Sequence, residues 1–216
     1  MMGPMDRWEA SLYGDPCREC DFRWSIDEEA ALQLISELPD AYAELLLGAT
    51  GTERHPDLTW SVGAYVCHVA DNLRIWSERV GGAHEGAGPA ITPYDENLLA
   101  EARRYEGIPL VTSQWSLRHS VADYLEALAQ TSGSEVLLVH PERGDMTRAD
   151  IVRANTHDAL HHLWDIRRTL EVAPLSGSQR SRYRPGVRRR FRCWRRRCSG
   201  TLSLFRGTRC RWPRPQ

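Results

Sequence analysis

Between Ser61 and Val80 the apolar side chains of Val62, Tyr65, Val66, Val69, Leu73, Trp76 and Val80 recur every three or four residues. That spacing sets them along one stripe of an α-helix, and a stripe of this length has to be covered. Three further segments carry a comparable stripe. The first begins at Ser25, which with Glu28 forms a capping box, and continues through Leu32, Leu34, Ile35 and Leu38 to Leu45, Leu46 and Leu47; Pro39 predicts a kink or a split into two helices. Another covers Ser113 to Gln130, with Trp115, Leu117, Val121, Tyr124, Leu125 and Leu128. The last opens at Thr147, paired with Asp150, and runs to about Leu170 before Pro174. Gly81 and Gly82 are predicted to end the second helix, and a Gly-rich loop to Pro93 leads to a shorter helix over Glu96 to Tyr105. Val136 to Val139 reads as an extended link, and no strand pattern is long enough to build a sheet. Four such helices bury their stripes most simply as an all-α, antiparallel four-helix bundle with a long connection between helices two and three.

Charge divides the chain. The formal net charge is −1, from 28 basic and 29 acidic residues. All the basic residues are Arg, and 14 of them lie between Arg180 and Arg214, where there is no Asp or Glu. The remainder has 14 Arg against all 29 acids. Three regions follow: residues 1–21 with a C-x-x-C, residues 22–175 as the bundle, and an Arg-rich tail over 176–216. The acidic body argues against nucleic acid as its partner, since phosphate contacts need a basic surface. No apolar run approaches the roughly 18 to 20 residues that cross a bilayer, and no membrane partner is expected. Asp6, Arg7 and Glu9 stand where a secretory signal would need an apolar core, so a cytoplasmic protein is expected.

The tail repeats Arg-Arg-Arg at Arg188 to Arg190 and Arg195 to Arg197, with Trp194, Trp212 and three Cys. Its composition is what GC-rich coding DNA gives out of frame, so a frame-shifted or vestigial segment without a core is expected. A nucleic-acid arm, with guanidinium groups on phosphates and Trp stacked on bases, is the functional alternative.

Chemistry concentrates in the fourth helix, in Asn155-Thr156-His157-Asp158-Ala159-Leu160-His161-His162-Leu163-Trp164-Asp165. His157 and His161 are one helical turn apart and can share a metal ion. His68, at the edge of the second helix's stripe, is the third candidate ligand. Three imidazoles suit zinc, nickel or a similar divalent ion and leave a coordination position open for chemistry. Asp165, four residues after His161, is expected to orient that ring or to lie solvated at the surface, and His162 to pair locally with Asp158. Cys17 and Cys20 are candidates for redox chemistry or metal capture, but the body lacks the second Cys pair of a closed four-Cys site. Cys67 is expected to be a small packed residue.

Trp60-Ser61, Cys67-His68-Val69-Ala70-Asp71, and His157 and His161 followed by His162-Leu163-Trp164-Asp165-Ile166-Arg167-Arg168 resemble the DinB-like superfamily over residues 22–172. That superfamily includes bacillithiol transferases and mycothiol-dependent maleylpyruvate isomerases. The resemblance implies a four-helix bundle with a divalent metal on His68, His157 and His161. It further implies a low-molecular-weight thiol as cofactor or substrate, with an electrophile as acceptor. A metal-dependent, thiol-using transferase or isomerase-like enzyme is therefore expected, with a second copy of the chain, as a homodimer, a candidate partner. A non-catalytic, stress-associated binding protein of the same fold is the alternative.

Overall fold

A computed structural model describes residues 10–131 and 135–172. The Arg-rich segment over 176–216, with its expected lack of a core, lies outside the described residues, as do residues 1–9, 132–134 and 173–175.

Helix α1, Glu28–Leu45, is capped by Asp27, whose carboxylate accepts the Ala30 N–H at 2.8 Å. The expected cap, Ser25, is two residues too early, because Glu28 pairs with Arg148 instead of folding back, and Arg153 holds the Ile26 carbonyl at 2.9 Å. Pro39 lies inside this helix and does not split it. Losing one backbone bond costs about 3 kcal/mol. Against that stand Ile35, Leu38 and Tyr42 buried in the core, with the Tyr42 hydroxyl donating to the Ala159 carbonyl at 2.7 Å.

Helix α2, Val62–His84, starts at the expected Ser61 cap. It runs through Gly81 and Gly82, and the chain turns at Gly86, whose φ of +87° supplies the left-handed conformation that closes a helix. The connection then forms α3, Glu96–Arg103, and a 3-10 turn, Tyr105–Gly107. Helix α4, Leu110–Ala129, begins directly after Pro109, three residues before the expected start at Ser113. Strands β1, Val136–His140, and β2, Gly144–Thr147, pair as an antiparallel hairpin where only an extended link was expected. Strands this short leave little periodicity to read, yet Leu138 and Met146 are fully buried. Helix α5, Arg148–Val172, opens with the expected Thr147–Asp150 pair, whose side chains bond each other at 2.6 Å.

The four long helices pack in the cyclic order α1, α4, α2, α5, and their apolar faces form one core. The chain is thus a four-helix bundle with a small hairpin. No described helix is long and apolar enough to cross a membrane.

Two glycines of α2 should respond in opposite ways to alanine. A Cβ at Gly63 would meet the Gly51 carbonyl oxygen at 3.0 Å, whereas one at Gly81 meets nothing within 4 Å. Gly63→Ala should cost about 1–3 kcal/mol through overpacking. Gly81→Ala should add up to about 1 kcal/mol by restricting the unfolded chain and favouring helix. Urea midpoints of the two variants, moving in opposite directions, check this.

Candidate metal centres

Helix α5 carries donors on two adjacent faces. Successive residues on a helix are turned by about 100°, so His157 and His161 share one face while Asp158 and His162 share the next. The second of these faces meets α2, and the first meets the N-terminal segment. Two groups of potential ligands result: His68 with Asp158 and His162, and Cys17 with Cys20, His157 and His161. In each group the donor atoms lie within 4.8 Å of one another.

In the first group, His68 Nε2 and His162 Nε2 each stand 3.6 Å from the same Asp158 oxygen, Oδ1. That is longer than a good hydrogen bond, but two donors sharing a tetrahedral ion at about 2.0–2.2 Å are separated by roughly 3.3–3.6 Å. The second ring nitrogen of His162, Nδ1, is 3.1 Å from Asp165. A proton held there leaves Nε2 bare, with its lone pair facing a carboxylate, an arrangement that calls for a cation between them. The other Asp158 oxygen accepts the Asn72 amide at 3.0 Å. Asn72 in turn donates to Asn155 at 3.0 Å and accepts the Tyr94 hydroxyl at 2.9 Å. The Nδ1 of His68 is buried and has no hydrogen-bond partner. These residues fit a divalent ion.

Electrostatics agree with that fit. Desolvation would raise the Asp158 carboxyl, yet the imidazoles of His162, His68 and His157 hold it well below the usual range. Burial alone would lower His68, but Asp158 raises it above an ordinary histidine.

In the second group, Cys17 Sγ is 3.7 Å from His161 Nδ1, and His161 Nε2 is 3.0 Å from the Glu19 carboxylate. Burial pushes the Cys17 thiol up, but hydrogen bonds from Cys20, Glu19 and His157 outweigh it and leave the thiol below its ordinary value. Burial, helped by the neighbouring His162 and His157, lowers His161 despite Asp165 and Glu19. The rings of Tyr13 and Trp24 pack on His157, with centroids 4.8 and 4.6 Å away.

The expected ligand set of His68, His157 and His161 is therefore divided. His68 meets the Asp158–His162 face, because the N-terminal segment covers the face bearing His157 and His161. Asp165 orients His162 and not His161, and it also pairs with Arg168 at 3.1 Å. His162, expected only to pair locally with Asp158, joins His68. Cys67 is packed as expected, and burial pushes its thiol up to about 11. Sequence reasoning missed Asp158 as a donor and Asn72 as its anchor. The D-x-x-x-H spacing of Asp158 and His162 was the available signal for the first; nothing in the spacing marks the second. A pocket bordered by Asn72, Trp76, Arg143 and Asn155 opens beside both groups.

No family model matches the chain, and neither does any curated protein. Among solved structures it is similar to YfiT from Bacillus subtilis, described as a probable metal-dependent hydrolase with an unusual four-helix bundle topology. The two share 18% identity with a TM-score of 0.57, over 68% of this chain and 89% of that one. The likeness establishes a common four-helix fold.

Asn72→Ala should leave the fold intact while releasing the Asp158 carboxylate. Metal affinity of the His68 group should fall by about 10–100-fold, as when the partner that orients a ligand is lost. Competition with a chromophoric chelator measures this.

Proposed function

We propose that this chain is a DinB-like metalloenzyme, a thiol-dependent transferase whose divalent ion, zinc or nickel, is held by His68, Asp158 and His162. The observation that carries the reading is the convergence of two imidazole nitrogens on one carboxylate oxygen at 3.6 Å each. Three donors leave a coordination position open, which distinguishes a reactive site from a structural one. When bound there, such an ion makes a thiol or a water nucleophilic at neutral pH.

The chain's own residues prepare the site. Asp165, 3.1 Å from His162 Nδ1, is placed to hold a proton there and leave Nε2 as the metal donor. Asn72 fixes the Asp158 carboxylate, and Tyr94 fixes Asn72. Arg143 gives the adjoining pocket a cationic side chain, and Asn72 and Asn155 give it amides, so a polar or anionic acceptor suits it better than an apolar one. Hydrolysis, with water as the nucleophile in the same site, is the second reading. The fold shared with YfiT, a probable metal-dependent hydrolase, favours it.

The test is turnover by metal-loaded full-length protein with mycothiol, bacillithiol or glutathione and an alkylating electrophile. Thiol consumption should require the metal, and Asp158→Ala should lower kcat/KM by about 100-fold or more. Ester cleavage without a thiol would replace the transferase reading with hydrolysis. Stoichiometric metal with no turnover of either kind would make the chain a binding protein.

A further inference from the structure

The C-x-x-C of the N-terminal segment and the H-x-x-x-H of α5 are far apart in sequence but meet in the fold. All four donor atoms lie within 4.8 Å of one another. Tetrahedral zinc, with bonds of about 2.3 Å to sulfur and 2.0–2.1 Å to nitrogen, separates its donors by roughly 3.3–3.8 Å. The Cys17 Sγ to His161 Nδ1 distance of 3.7 Å already has that value. The two thiols reach the same side because the chain turns sharply at Asp21, with φ +60°. Hydrogen bonds from Cys17 N–H to the Phe22 carbonyl, 2.8 Å, and from Asp21 N–H to the Cys17 carbonyl, 3.1 Å, close that turn.

Glu19, between the two cysteines, adds an independent observation. Its carboxylate takes the Nε2 side of His161 at 3.0 Å, so the proton of the neutral ring belongs there. The Nδ1 lone pair is then left facing Cys17. A carboxylate behind a histidine is the usual means of orienting a zinc ligand. The segment's buried cluster is small: Cys17, Phe22 and Trp24, with Ala10, Cys20, Ile26 and Leu160 packed against it. Cores that small generally need a staple.

We propose that Cys17, Cys20, His157 and His161 form a closed zinc site that fastens the N-terminal segment to the fourth helix. Zinc enters as both thiols lose their protons to solvent, while the two imidazoles bind neutral. Four protein ligands leave no open position, so the site is structural. Tyr13, on the fastened segment, borders the same pocket as Asp158 and His162, so this zinc fixes one wall of the reactive pocket. The site does not depend on metal binding by the His68 group.

X-ray absorption and cobalt substitution of the full-length protein test this. His68→Ala empties the other group, so the one remaining zinc should have two sulfurs at about 2.3 Å and two nitrogens at about 2.0–2.1 Å. Its cobalt form should show thiolate-to-cobalt charge transfer. Cys20→Ser in that background should lose the metal. Should Cys20→Ser fail to fold by circular dichroism, Cys20→His keeps four donors and should hold zinc with a single sulfur. Cys193, Cys198 and Cys210 are present throughout, so they cannot account for a loss at Cys20. Zinc without sulfur ligands in the His68→Ala protein, or two sulfurs surviving in Cys20→His, would overturn the site. Either failure would leave the His68 group untouched, since that group is tested by Asp158→Ala.

Discussion

The carboxylate of Asp158 is the point on which the interior of the bundle turns. One oxygen faces the imidazoles of His68 and His162, and the other accepts the Asn72 amide. Helices α2 and α5 are joined through these contacts by polar groups where most bundles would use only apolar ones. The surrounding residues are set by the same need: Tyr94 and Asn155 fix Asn72, and Asp165 fixes His162. A negative charge sheltered between imidazoles is stable only with compensation. In the absence of metal that compensation comes from a proton on His68, which is why His68 is raised and Asp158 is lowered together.

The order of helices was legible because their stripes are long and their caps distinct. Ser61 and the Thr147–Asp150 pair stand where the sequence puts them. The misreadings share a cause, in that long-range contacts overrode a local signal. Pro39 stays helical because Tyr42 is tied to α5, and Ser25 loses its capping role because Arg148 takes Glu28. The hairpin was invisible because its stability comes from Leu138 and Met146 packing on the bundle, and because Val139 bonds to Pro89 and Ile91 in the preceding loop.

The candidate donors were legible as residue types and not as partners. His68 and His157 are buried and His161 is partly so, but periodicity cannot say which neighbouring element covers each face of α5. His157 and Asp158 are adjacent in sequence and about 100° apart on the helix, so one serves the N-terminal segment and the other serves α2. The C-x-x-C likewise lacks a second pair in the sequence because the donors nearest it are the H-x-x-x-H histidines across the fold.

The buried carboxylate of Asp71 shows why Asp158 is the candidate ligand and not ordinary interior scaffolding. Asp71 is on α2 and more enclosed, its side chain 7% exposed against 31% for Asp158, and its partners are donors: the Tyr105 hydroxyl at 2.5 Å, the Arg103 guanidinium, and Arg74 at 3.5 Å. Both oxygens there are met by a permanent cation or an O–H, and the Tyr105 hydroxyl is held well above its usual range by burial and by Asp71 itself. Such a network is complete without a ligand. Asp158 faces ring nitrogens, which can each be a donor or an acceptor, at distances too long for hydrogen bonds and suited to a shared ion. The difference between the two carboxylates lies in what surrounds them, and that difference separates the site from the scaffold.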